Sequence, residues 1–161
     1  MRRALSLAMA GLFVLLVSAA QAQAEIISFT ATLNGGNEVP PVVTGAAGTA
    51  TITYDTVTGI LTYRVEVYNM PSGTTAGHFH VGAVGVAGPT VINFTVQANI
   101  SNDFAIAGTA TSTNLNVRAA QGINSWDDLI QALLLNNLYI NVHSTANPGG
   151  ELRGQVIRVV P

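Results

Sequence analysis

Apolar and polar residues alternate with a period of two over most of the chain beyond residue 25. In Ile26 to Leu33, the residues Ile27, Phe29, Ala31 and Leu33 fall on one face, and Ser28, Thr30 and Thr32 on the other. Side chains of a strand point alternately to its two faces, so this pattern predicts a strand with one covered face. Thr49 to Tyr54 and Ile60 to Tyr68 repeat it, with Leu61, Tyr63, Val65 and Val67 in a row. The intervening Asp55-Thr56-Val57-Thr58-Gly59 is rich in turn formers, which predicts a hairpin. Further strands are predicted at Thr90 to Gln97 (through Ile92, Phe94 and Val96), Phe104 to Thr111, Leu138 to Ser144 and Leu152 to Val160. Valine, isoleucine and threonine fill these runs, and glycine and proline separate them. Many short strands divided by turn signals predict a sandwich or barrel.

One stretch breaks the alternation. Trp126, Leu129, Ile130, Leu133 and Leu134 recur at helical spacing. Ser125 precedes them as a natural cap, and Asp127 and Asp128 sit where a helix dipole favours acids. Trp126 to Leu135 is therefore predicted to be a short amphipathic helix that covers one end of the sheets.

The first 24 residues follow a different logic. Arg2 and Arg3 precede a nearly unbroken apolar run from Ala4 to Val17. Ala20-Gln21-Ala22 and Ala22-Gln23-Ala24 both fit a small-x-small cleavage pattern. The run is short for a spanning helix, which needs roughly 20 residues. Residues 1–24 are read as a cleaved signal peptide and residues 25–161 as one β domain, exported to the periplasm or the medium. No membrane span is expected after cleavage.

Charge narrows the partners. Residues 25–161 keep four arginines and all eight acids, contain no lysine, and carry a net charge near −4. A nucleic-acid binder needs a basic stripe to neutralise phosphates, and none exists here. The chain has no cysteine, so neither a disulfide nor thiol chemistry is available. An unidentified protein or small ligand is the expected partner.

The three histidines are the most informative residues. His78 and His80 lie in Gly77-His78-Phe79-His80-Val81-Gly82, two apart and so on one strand face. With Phe79 and Val81 directed into the core, both imidazoles face outward. The same parity in Tyr139-Ile140-Asn141-Val142-His143 turns His143 outward. If the two strands are neighbours, three imidazoles meet. Neutral imidazole suits copper and zinc, and three with an open position form the smallest reactive metal centre. The plainer alternative is three unrelated surface histidines.

Two other segments could add chemistry. Asn147-Pro148-Gly149-Gly150 makes a tight turn before Glu151-Leu152-Arg153-Gly154-Gln155. Glu151 and Arg153 share strand parity and read as a charge-assisted pair with each other or from either to a neighbouring strand, or as an arginine set beside a metal to attract an anion. Asn37-Glu38-Val39-Pro40-Pro41-Val42 reads as a rigid extended loop, because two prolines cannot continue a central strand. Glu38 could supply a carboxylate to a ligand or to the histidine face. Neither a Gly-x-Ser-x-Gly elbow nor a phosphate-cradling Gly-Lys-Ser/Thr loop occurs, so no catalytic residue is assigned.

These segments, in this order, resemble the CHRD domain. The opening runs Phe29-x-Ala31-x-Leu33, Asn37 to Val42 and Gly59-x-Leu61-x-Tyr63-x-Val65 are similar to its first part. Gly77 to Gly82 resembles its Ala-His-Ile-His-Gly stretch, and Tyr139 to Ser144 with Asn147 to Gln155 resembles its closing signature. The resemblance covers Ile26 to Val160. It implies an all-β, immunoglobulin-like Greek-key sandwich or barrel, here of about seven to nine strands with one short helix. It implies no defined activity, and a non-catalytic binding or structural module of the envelope is the expected role. A looser likeness joins His78, His80, His143 and Arg153 to the order of motifs in copper–zinc superoxide dismutase, which implies one copper or zinc ion as cofactor. The chain departs from that family in lacking a bridging fourth histidine, the zinc-site histidines and the disulfide.

Overall fold

The computed structural model describes residues 25–160, so the expected signal peptide at 1–24 lies outside the described residues. Nine strands follow in chain order: β1 (Ile26–Asn34), β2 (Ala47–Asp55), β3 (Leu61–Met70), β4 (Thr74–Val81), β5 (Thr90–Asn93), β6 (Asn102–Ala110), β7 (Leu138–Ser144), β8 (Leu152–Gln155) and β9 (Ile157–Arg158). One α-helix, α1 (Trp126–Leu134), precedes β7. Every pairing is antiparallel, along the path β5-β4-β7-β8-β1-β2-β3-β6, with β9 beside β1.

This single sheet curls until its far ends face each other. Tyr63 of β3 meets Phe79 of β4 edge-on, with ring centroids 5.7 Å apart, although four strands separate β3 from β4 along the path. Tyr63 also stacks on Phe94, just past β5, at 4.3 Å. Of the two expected architectures the chain adopts the barrel, nearly closed. Its interior is the set of apolar residues that alternation selects: Phe29, Ala31 and Leu33 are at most 2% exposed, and Leu61, Val65, Val67 and Phe79 are 0% exposed.

The β2–β3 hairpin follows its sequence closely. Asp55 Oδ1 accepts from the backbone N–H groups of Val57 and Thr58, and Gly59 takes the left-handed φ of +68° that the turn requires. The helix also starts where expected. The Ser125 side chain accepts from Asp128 N, and Asp128 Oδ2 accepts in return from Ser125 N. Leu129 and Leu133 close one end of the interior at 0% exposure.

Two expected strands are shorter than their alternation. Of the run to Gln97 only Thr90–Asn93 forms the strand, with one further bond from Phe94 N to Gly77 O, because the chain then leaves β4 for β6. A bulge between Phe79 and His80 places Val91 inward beside Ile92. The run Leu152 to Val160 divides into β8 and β9 at Val156, which is fully buried and donates to Leu138 O. That kink passes the chain from β7 to β1. The crossing is tight, since a Cβ on Gly154 would stand 2.7 Å from Thr32 O.

Candidate metal centre

β4 and β7 are neighbours in register, with Ala76 opposite His143, His78 opposite Asn141 and His80 opposite Tyr139. Phe79, Ile140 and Val142 point inward at 0% exposure, so the odd parity of β7 and the even parity of β4 face outward together. Three imidazoles meet on that outer face. One nitrogen from each of His78, His80 and His143 lies within 4.8 Å of the others. The His78 ring centroid is 4.9 Å from that of His143 and 5.4 Å from that of His80.

The surrounding carbonyls assign the protons. A carbonyl can only accept, so His80 Nδ1 donates to Gly88 O at 2.8 Å and His143 Nδ1 donates to Pro148 O at 2.9 Å. Both rings thereby keep a bare Nε2. His78 Nδ1 stands 3.1 Å from His143 Nε2 and donates to it. Two ligands of one ion at about 2.0–2.1 Å would lie roughly 3.3 Å apart in tetrahedral geometry. The His78–His143 spacing is already close to that value. The carbonyl bonds to the far nitrogens are the orienting contacts that metal-bound imidazoles usually have.

The electrostatics favour neutral rings. Burial, then the neighbouring His143 and His80, lowers the His78 imidazole to about 4. Burial also lowers His80, against the upward pull of its bond to Gly88 and with help from His143, Arg153 and Arg118. Neutral imidazole is the form that binds metal.

The outer face here is not open. The segment Gly82–Pro89 lies over it and is tied down by polar groups. Arg153 Nη2 donates to Ala83 O at 3.1 Å and to Val86 O at 2.9 Å. Its guanidinium carbon sits 3.5 Å from the centroid of the Tyr139 ring. Tyr139 Oη donates to Gly88 O and accepts from Gly88 N. The Tyr139 ring also stacks on His80 at 4.9 Å, which leaves it between that histidine and Arg153. His80 is only 9% exposed as a result.

The expected pair of Glu151 and Arg153 does not form. Arg153, 3% exposed, is committed to the loop carbonyls and Tyr139. Glu151, fully buried just before β8, accepts from Ser144 Oγ at 2.7 Å and from Asn147 Nδ2. Burial would raise its carboxyl, but bonds from Asn147, Ser144 and Thr44 hold it below the ordinary range. Strand parity placed the two residues on one face; the turn at Asn147–Gly150 instead draws Glu151 back toward β7. Glu38 does not join the histidine nitrogens either. It is 7% exposed and accepts from Asn141 Nδ2 at 3.2 Å. Burial, with Glu151 adding to it, pushes its carboxyl up to about 7 against the pull of Asn141 and Arg153. Tyr139 and Asn141 escaped notice in the sequence, though they share the parity of His143. Gly82–Pro89 carried only its glycines as a signal.

A curled all-β barrel with a roofed three-histidine cluster on its outer wall defines the class. A family model described as the CHRD domain matches residues 29–156, and the chain belongs to that family. No curated protein and no solved structure matches it. Among the described residues, no helix is long and apolar enough to cross a membrane.

Proposed function

We propose that this CHRD domain is an exported, non-catalytic binding module whose working site holds one copper or zinc ion through His78, His80 and His143. The observation that carries the reading is the convergence of three imidazole nitrogens within 4.8 Å, two of them turned toward the common point by carbonyl anchors. The donor set fits: imidazole suits both ions, and copper(II) leads the divalent series. His78 presents Nδ1 to the site by moving its proton to Nε2, so the ring remains neutral. Three protein nitrogens leave a position for water or a ligand from outside. Arg153 and Glu151 belong to the scaffold in this reading, and Glu38 to the loop beside it.

Calorimetric titration of the chelator-treated domain with Cu²⁺ and Zn²⁺ tests the site, alongside a variant with all three histidines changed to Ala. One ion per chain is expected, with nitrogen coupling in the Cu²⁺ spin-resonance spectrum. Absence of binding, or unchanged binding in the triple variant, would overturn the proposal. Export is tested separately by intact mass of the periplasmic or secreted form. Its first residue should be Glu25, or Gln23 if the upstream site is cut; full-length protein beginning at Met1 would refute cleavage.

A further inference from the structure

The loop after β1 is fixed to the barrel by two adjacent side chains. Asn37 Nδ2 donates to the backbone carbonyl of Arg153 at 3.1 Å. Glu38 Oε2 accepts from Asn141 Nδ2 at 3.2 Å. The other carboxyl oxygen, Glu38 Oε1, and the amide oxygen, Asn141 Oδ1, are both buried without a hydrogen-bond partner. Both crowd one spot, for a Cβ on Gly150 would lie 2.6 Å from each. Buried polar atoms are rarely left unpaired, and two acceptors side by side also repel.

A single proton resolves both. Placed on Glu38 Oε1, it turns that oxygen into a donor and gives Asn141 Oδ1 a bond to accept. The carboxylic acid and the carboxamide then close a ring of two opposed hydrogen bonds. A water donating to both oxygens and a hard cation are the competing solutions; the first would leave the carboxyl ionised at pH 5.5, and calcium takes six to eight oxygens. Only two unpaired oxygens meet over Gly150, and the positive charge of Arg153 bears on the same carboxyl.

We infer that Glu38 is held as a neutral carboxylic acid ringed to Asn141, and that this pair is a latch joining the Gly35–Val43 loop to β7 that releases when the proton leaves. The charged groups facing Glu38 are Arg153 and Glu151, from the region of the last strands. β7 contributes the neutral Asn141, and the Asn147–Gly150 turn brings no charge. Arg153 makes no ion pair with Glu38, and Glu151 opposes its ionisation. Burial pushes the Glu38 carboxyl up to about 7, which puts the release in the neutral range. Glu38, with Val39, also forms the wall shared by two surface hollows. One, of about 250 Å³, is bordered by Pro40 and the Asn147–Gly150 turn. The other, of about 240 Å³, is bordered by Gly85, Arg153 and Gln155. The released loop joins the two, and the proton leaves through them to solvent.

The latch is tested on the metal-free domain in chelator, so that the histidine site plays no part. Carbon-13 NMR of the Glu38 carboxyl should show the acid form at pH 5.5 and a midpoint near 7. Glu38→Gln keeps the shape and the two bonds without the proton. It should match the wild type in thermal midpoint at pH 4, below the ordinary carboxyl value, and exceed it at pH 8.5. A Glu38 carboxyl already ionised at pH 5.5 would overturn the inference, as would a Glu38→Gln variant less stable than wild type at both pH values. So would a thermal midpoint raised by Ca²⁺, added after the chelator is dialysed away, in the wild type but not in Glu38→Gln, which would assign the oxygens to a cation. If the variant fails to fold, the NMR titration alone decides.

Discussion

The two walls of the barrel share an inner face and differ on the outside. On the β1–β2–β3 wall the outward residues, such as Thr30, Thr32, Thr49, Thr51 and Thr62, are solvated, and the charges form an exposed Arg64–Glu66 pair. That is the usual state of an antiparallel sheet with one wet face. On the β4–β7–β8 wall the outward residues are polar as well, but the Gly82–Pro89 segment and the Gly35–Val43 loop cover them. β7 is buried on both faces except at His143. Water is removed from groups that would otherwise be ordinary surface residues. Burial shifts titration there in both directions: His78 moves down to about 4 and Glu38 up to about 7, whereas Asp55 at the end of β2 is lowered by hydrogen bonds from Thr58 and Val57. Which polar side chains lose their water in this barrel depends on which outer face is roofed.

The contrast can be broken at the roof. Arg153→Ala leaves the carbonyl of Val86 without its donor, leaves that of Ala83 with Val86 N alone, and strips one face of Tyr139. A loss of roughly 2–4 kcal/mol is expected in urea unfolding. A loss below about 0.5 kcal/mol would mean that the segment stays in place without its clamp. Next in size is the ligand test. His80→Ala should lower metal affinity by about 100-fold or more while costing the fold only about 1 kcal/mol, the worth of one bond to Gly88 O. Equal losses of binding and stability would remove the distinction between site and scaffold.

The two shifted groups act on stability in opposite directions. His78 has its folded value below the ordinary 6.5, so the unfolded chain takes up the proton first. Its contribution is present above about 6.5 and is lost as pH falls toward 4. Glu38 has its folded value above the ordinary 4.5, so the folded chain holds the proton more tightly. Its contribution is present below 4.5 and is lost as pH rises through about 7, by up to about 3 kcal/mol. The metal-free domain should therefore lose stability on both sides of a plateau between about 4.5 and 6.5. Thermal midpoints across pH 4 to 9 would check it, and a monotonic profile would contradict the pairing. The smallest effect belongs to the open wall, where Thr51→Ala should change stability by no more than about 0.5 kcal/mol.

The β-strands were legible because alternation reports one covered face, and the helix because Ser125 and the apolar stripe both mark it. The histidine convergence was legible in part: parity turned each ring outward, but only the β4–β7 pairing joins them. What could not be read depends on partners far away in the chain. Glu38 and Asn141 are 103 residues apart, and Arg153 is 70 from Ala83. Parity also misled at Glu151, where a turn overrides the strand rule. The break at Val156 was hidden because a kinked residue buried between two strands looks the same in sequence as one inside a single strand.

The path of the sheet stops at β5 on one side and β6 on the other, so the barrel has a seam. Along it, each terminal strand has a row of backbone amides with no strand beyond to accept from them. In deuterated water these two strands should take up label first, with β7, β8 and β1 in the middle of the path last. The histidine strand β4 lies only one strand in from the seam, whereas β7 lies two. The strand carrying His78 and His80 should therefore take up label sooner than the strand carrying His143.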